Sequence, residues 1–97
     1  MAAWVYIVTN QRNGTLYIGV TAHLATRIQQ HKSQDKPGFT QRHKLTKLVY
    51  AERHDEIVRA IQREKSLKRW PRDWKLALIE ELNPEWDDLF GSLSIEN

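Results

Sequence analysis

The chain contains no cysteine. Disulfides, zinc–thiolate sites and thiol nucleophiles are therefore excluded, and a reducing interior fits. No apolar run approaches the length of a membrane helix, and the N-terminus lacks the basic-then-apolar pattern of a signal peptide. A soluble, cytoplasmic protein is the expectation. Repeats, linkers and low-complexity tracts are missing as well, and 97 residues accommodate one domain (1–97) with a single core. Positive charge is absent from the end of the chain. Residues 76–97 hold no Lys or Arg and six Asp or Glu, whereas residues 40–75 hold eleven Lys or Arg and five Asp or Glu. Beneath a formal net charge of +3, this asymmetry gives a directional field suited to a polyanion on one face. An ordinary solvated helix surface gives the same charge run, so the partner has to be read from the motifs.

Alternating apolar residues predict strands at about 4–9 and 15–20, joined by Asn10-Gln11-Arg12-Asn13-Gly14, whose Asn-Gly step is a strong hairpin signal. Thr21 is placed to cap a helix over about 22–33, which ends before Pro37-Gly38. Residues 34–44 read as a polar, basic loop. A third strand fits residues 47–52, with Leu48 and Tyr50 on one face. Asp55 is the expected cap of a helix over about 55–70, which Trp70-Pro71 breaks. A last helix spans about 72–82 and stops at Asn83-Pro84, followed by a short helical turn and an acidic end. The order ββαβαα implies an α+β domain, a small three-stranded sheet packed with helices.

Polar residues stand where apolar spacing predicts core. On a helix turning about 100° per residue, Ile57, Ile61 and Leu67 define a buried arc with Glu64 in its middle and Lys68 beside it. A lone carboxylate there is costly unless it is paired or binds a metal. Glu64 is thus either half of an i,i+4 pair with Lys68 at the rim of the core, or a ligand. Leu24 and Ile28 mark the inner face of the first helix, and Arg27 and His31 lie on or beside that stripe. They read as a snorkelling arginine and a satisfied core histidine, or as parts of a cleft. On the hairpin, Tyr6 shares a face with Trp4 and Val8, and Tyr17 shares one with Gly19. Strand tyrosines normally pack, but a mid-strand glycine weakens a sheet unless a backbone or ligand comes close. Trp70 and Trp74 read first as core residues and second as stacking partners for unpaired bases.

Taken in order, these residues resemble the GIY-YIG nuclease superfamily, in its small single-domain bacterial branch. The first motif reads Trp4-Val5-Tyr6, with the tyrosine but without the leading glycine; the second, Tyr17-Ile18-Gly19, is intact. Leu24 to His31 matches the family's arginine helix, with Arg27 followed one turn on by His31. Arg63-Glu64-Lys65-Ser66-Leu67-Lys68 looks like the metal-glutamate helix, and Asn83-Pro84-Glu85-Trp86 like a pattern near the end of that branch. The resemblance runs from about Trp4 to Leu89. Each motif is short, and their order and spacing together make the match specific. Val20 stands where some larger members carry a basic residue, so that charge is absent or falls to Lys44, Lys65 or Lys68. The separate DNA-binding domain of larger relatives has no counterpart here.

The resemblance implies an antiparallel three-stranded sheet flanked by helices, and a divalent-metal-dependent DNA endonuclease. Mg²⁺ or Mn²⁺ would be held by Glu64 together with waters and phosphate oxygens. Arg27 would clamp the scissile phosphate by planar two-point donation. Tyr6 would accept the proton of the attacking water while Tyr17 positions water or phosphate, two roles open to exchange. A phenol with a reference pKa of about 10 acts as a base at neutral pH only where cations favour phenolate. His31 would orient water or protonate the leaving oxygen, with His43 a second candidate. Gly19 clears space on the substrate side, and Thr40 would touch a phosphate. Backbone contacts are expected from Arg42, Lys44, Lys47, Arg63, Lys65, Lys68, Arg69 and Arg72. Without a reading module, shape rather than sequence should select the substrate. That points to single-stranded, nicked or branched DNA in repair or recombination, with RNA as the alternative. The competing reading is a non-catalytic nucleic-acid-binding module that keeps the fold and the basic face.

Overall fold

Ala3–Thr9 (β1) decides the layering, because both of its faces are apolar. Only Trp4 in this strand is not buried, the pattern of a strand covered on both sides. The structure is a computed structural model that describes residues 1–33 and 44–93. In it β1 is the central strand, flanked by β2 (Leu16–Thr21) and β3 (Lys47–His54), both antiparallel to it. Ala3, Val5 and Ile7 face one way, into a core shared with Ala60 and Leu67 of α2 (Ile57–Arg69) and Ile79 of α3 (Arg72–Leu82). Tyr6 and Val8 face the other way, against Leu24 and Ile28 of α1 (Leu24–Ser33) and a 3-10 turn at Leu89–Ser92. The three-stranded antiparallel sheet flanked by helices is the α+β arrangement expected from the sequence.

The hairpin forms where Asn-Gly placed it. Asn13 takes a left-handed φ of 57°, and a Cβ on Gly14 would lie 2.1 Å from Asn10 Oδ1. Only glycine fits, so this turn fixes the register that sets Tyr6 opposite Gly19 and Val8 opposite Tyr17. Thr21 accepts the N–H of His23 at 3.0 Å, and α1 begins at Leu24.

Three expectations are corrected. Leu48 and Tyr50 lie on opposite faces, because β3 carries an extra residue between them: Ile7 pairs with Tyr50 but Val8 pairs with Leu48. Such a bulge shifts side-chain alternation by one. Asp55 does not cap α2; it binds Arg53 at 2.6 Å, and Glu56 stands at the N-cap without a side-chain bond. Trp74, expected in the core, is 56% exposed on the outer face of α3, whereas Trp70 packs against the core.

The chain returns to the sheet through Asn83 and Trp86. Asn83 donates to Val49 O at 3.1 Å and Asp87 O at 2.9 Å, and accepts the Asp87 N–H. Trp86 is fully buried at a φ of 58°, with its indole N–H on Glu80 at 2.7 Å. A bulky residue in the left-handed region is strained. Burial of a large ring, together with these bonds, holds it there.

Candidate active site

Gly19 is the key to the site. A Cβ there would lie 2.5 Å from the Tyr6 hydroxyl and 2.6 Å from its ring carbon. The clearance expected for substrate is taken up by the Tyr6 phenol, which crosses the neighbouring strand and ends beside α1. There its oxygen lies 3.1 Å from His31 Nε2. Tyr17, on the same face of β2, completes a triangle of rings. Its centroid is 6.4 Å from that of Tyr6 and 5.7 Å from that of His31, and Tyr6 and His31 are themselves 5.7 Å apart. The hairpin thus supplies both phenols, and the last turn of α1 aims the imidazole at them.

Arg27, one turn before His31, is exposed, and its charge reaches both groups. Glu64 arrives from α2 on the far side and contributes a negative charge at Tyr6. Its carboxylate is 14% exposed and holds Lys68 at 3.0 Å, with that lysine 51% exposed. Of the two expectations for Glu64, the ion pair with Lys68 at i,i+4 is the one the structure shows. Three elements, β1, β2 and α1, bring Tyr6, Tyr17, Arg27 and His31 together, and Glu64 on α2 reaches them through its charge at Tyr6.

The electrostatics run against a phenolate. Burial pushes Tyr6 up to about 12, with Tyr17 adding to it and Arg27 opposing. Arg27 acts in the direction foreseen, but desolvation outweighs it. Burial, and then Arg27, lower the pKa of His31, so its ring is neutral at pH 7. A protonated phenol against a neutral imidazole leaves two forms of this bond, set by the tautomer: Tyr6 O–H donates to Nε2, or Nε2–H donates to the phenol oxygen.

The other expected nucleic-acid contacts are scattered. Lys65, Lys68 and Arg69 are exposed on the second half of α2, and Lys44 is exposed before β3 with a φ of 56°. Lys47 is half-buried at the start of β3. Arg72 is occupied, donating to Asn13 O at 2.7 Å and Gly14 O at 2.6 Å. Arg63 is occupied too: its Nε donates to Glu52 at 2.7 Å and its guanidinium lies 5.2 Å over the Trp70 ring. It sits on the face of the sheet opposite Tyr6, since Glu52 pairs with Val5. Thr40, Arg42 and His43 lie outside the described residues.

Sequence reasoning missed a second polar cluster. Glu52 accepts from Tyr50 O–H at 2.7 Å as well as from Arg63, and lies 3.2 Å from His54 Nε2. The signal was available, because Tyr50, Glu52 and His54 alternate along β3. A concavity of about 580 Å³ opens beside it, lined by His54, Arg59, Gln62 and Arg63 among others, and none of the phenol cluster lines it.

The donor set bears on a metal. Among the described residues no group of three or more His, Cys, Asp or Glu side chains could hold one. Glu64 offers one hard carboxylate, on a side chain 14% exposed and paired with Lys68. That fits a cation such as Mg²⁺ or Mn²⁺, which keeps waters and takes its remaining oxygens from phosphate.

Comparison with known proteins gives the family. The family model described as the GIY-YIG catalytic domain matches residues 2–77. A UPF0213 protein of Syntrophus aciditrophicus is 37% identical over 84 residues, covering 84% of this chain and 93% of that protein. One from Staphylococcus haemolyticus is 35% identical over 78 residues, covering 80% and 94%. The solution NMR structure of the UPF0213 protein BH0048 from Bacillus halodurans superposes with a TM-score of 0.58 at 24% identity. That match covers 91% of this chain and 93% of that one, and is a likeness of fold. No helix among the described residues is long and apolar enough to cross a membrane.

Proposed function

Because this chain belongs to the GIY-YIG catalytic domain family, we propose that it is a divalent-metal-dependent endonuclease hydrolysing phosphodiester bonds in DNA. The observation that carries the reading is the Tyr6–His31 hydrogen bond of 3.1 Å, with the charges of the exposed Arg27 and of Glu64 both acting on Tyr6. A structural tyrosine needs none of these three partners.

In this reading the scissile phosphate lies against Arg27, whose planar guanidinium offers two donors to its non-bridging oxygens. Water attacks phosphorus in line with the leaving oxygen. Its proton passes to the Tyr6 oxygen while the phenol's own proton moves to His31 Nε2, so no free phenolate is formed. This relay answers the raised pKa of Tyr6, because the imidazole supplies the basicity that the phenol lacks. The P–O bond to the leaving oxygen breaks, and that oxygen takes a proton from solvent. Tyr17 orients the water or the phosphate. Glu64 would hold Mg²⁺ or Mn²⁺, which when bound supplies charge stabilisation at the phosphoryl oxygens. Lys68 releases Glu64 for that task by swinging into solvent, where half of its side chain already lies.

Lys65, Lys68, Arg69 and Lys44 supply non-specific backbone contacts, so binding weakens as salt rises. Contacts to the backbone alone select by shape, which favours single-stranded, nicked or branched DNA and a role in repair or recombination. The test is direct. Purified protein is incubated with plasmid and with single-stranded DNA, with and without Mg²⁺ or Mn²⁺, alongside Glu64→Ala and Arg27→Ala. Metal-dependent cleavage lost in both variants is expected. Salt-sensitive binding that survives Glu64→Ala, with no cleavage under any condition, would instead identify a non-catalytic binding module.

A further inference from the structure

The exposed Trp74 expected in the core marks a second feature. On α3, Trp74, Ala77, Leu78 and Glu81 follow the i, i+3, i+4, i+7 spacing of a helix face. With Trp70 they line an open groove of about 400 Å³ on the side of the helix away from Ile79. Trp70 stacks edge-on against Trp74 at 5.7 Å and 81°, while Arg63 covers another part of its ring. Trp74 is thus held in place by a ring that is itself packed on the core. Leu82, at the end of the helix, is 74% exposed.

We propose that this groove is a self-association surface, covered by the same face of α3 from a second copy of the chain packed antiparallel. Charge argues for this occupant. The first half of α3 carries Arg72, Asp73 and Lys75, a net charge of +1, and the second half carries Glu80 and Glu81, a net charge of −2. Two antiparallel copies therefore set each basic half on the acidic half of the other, and their helix dipoles also oppose. With a two-fold axis passing between Ala77 and Leu78, Trp74 meets Glu81 of the second copy, twice. Among the described residues neither the Trp74 indole N–H nor the Glu81 carboxylate is engaged, while the adjacent Glu80 already accepts such a bond from Trp86 at 2.7 Å. The small residue falls at the axis, where two helix backbones come closest.

One 11-residue helix per copy makes a contact in the smallest class, below about 1,200 Å² in total, so association is weak and concentration-dependent. Sedimentation velocity over a wide concentration range should move from monomer towards dimer, and Trp74→Glu should remain monomeric. Since the chain has no cysteine, Ala77→Cys introduces its only thiol. Its disulfide-linked dimer should form at least about tenfold faster than that of Val58→Cys, because the interface raises the effective thiol concentration. Val58 is 60% exposed on α2, away from the groove. A wild type that stays monomeric throughout, or an Ala77→Cys protein that cross-links no faster than Val58→Cys, overturns the proposal. So does a monomer in which a single-stranded oligonucleotide quenches the Trp74 fluorescence, which would give the groove to nucleic acid. Cleavage enters none of these readouts, so they stand apart from the nuclease reading.

Discussion

The molecule builds a tyrosine, a histidine, an arginine and a glutamate into a cluster twice, once on each face of the same sheet. On the β3 side, Tyr50, His54 and Arg63 all converge on Glu52. The carboxylate is saturated and its charge is matched. Burial pushes the Glu52 carboxyl up, but the bonds from Arg63, Tyr50 and His54 outweigh it and hold it below the usual range. On the α1 side, Tyr6, His31, Arg27 and Glu64 come from β1, α1 and α2 and do not converge on the carboxylate. Tyr6 bonds to His31, Arg27 stays exposed, and among the described residues Glu64 pairs with the exposed Lys68. A saturated cluster stabilises a fold. An unsaturated one keeps donors and acceptors in reserve for a ligand, and that distinction cannot be made from residue types.

The largest expected separation between the two is in catalysis. Glu64→Gln and Arg27→Ala should each lower single-turnover cleavage by about 10²–10³-fold, the usual loss for removing a transition-state charge partner. Glu52→Gln and Tyr50→Phe should leave it nearly unchanged. Tyr6→Phe, which keeps the ring over Gly19 and removes the hydroxyl, should cost about 10²-fold or more if the proton relay holds. Tyr6→Phe cleaving at the wild-type rate would remove the relay and leave the phosphate clamp alone.

Stability should separate them in the opposite sense. Glu52→Gln leaves Arg63 half-buried without its counter-charge and should cost about 1–3 kcal/mol in urea unfolding, whereas Glu64→Gln should cost little. The smallest effect is in pH. His31 has a lowered pKa, so the unfolded chain binds more protons below about pH 6.5 and stability falls as pH drops from there. Cleavage should fall through the same window, as the imidazole loses its acceptor. Glu52 has a depressed pKa, so its contribution is intact above the ordinary glutamate value and is lost only as pH falls through its folded value. Melting and cleavage profiles from pH 4 to 8 check both, and His31→Gln should abolish only the upper component.

Much of this was legible in the chain because local chemistry agreed with tertiary demand. Asn13-Gly14 fixed the hairpin, and α3 runs from Arg72 to Leu82 between Pro71 and Asn83, as the sequence predicts. Tyr6, Arg27, His31 and Glu64 were visible as polar groups on apolar stripes. What was hidden depends on non-local contacts. No glycine or proline announces the bulge in β3, so the opposite facing of Leu48 and Tyr50 appears only when β1 is paired. The desolvation that keeps Tyr6 protonated follows from its ring being laid over Gly19, and one sequence position cannot report it. Trp74 fits a core helix by spacing, yet the helix turns that side outward because Ile79 and Leu76 already fill the other.

The most direct measurement of the central claim compares Glu64→Gln with Glu52→Gln in one single-turnover cleavage assay with Mg²⁺, with melting recorded on the same preparations. The account requires the first to be folded and inactive, and the second to be less stable and active. A folded Glu64→Gln protein that cleaves at the wild-type rate, or equal loss of activity from both changes, contradicts it.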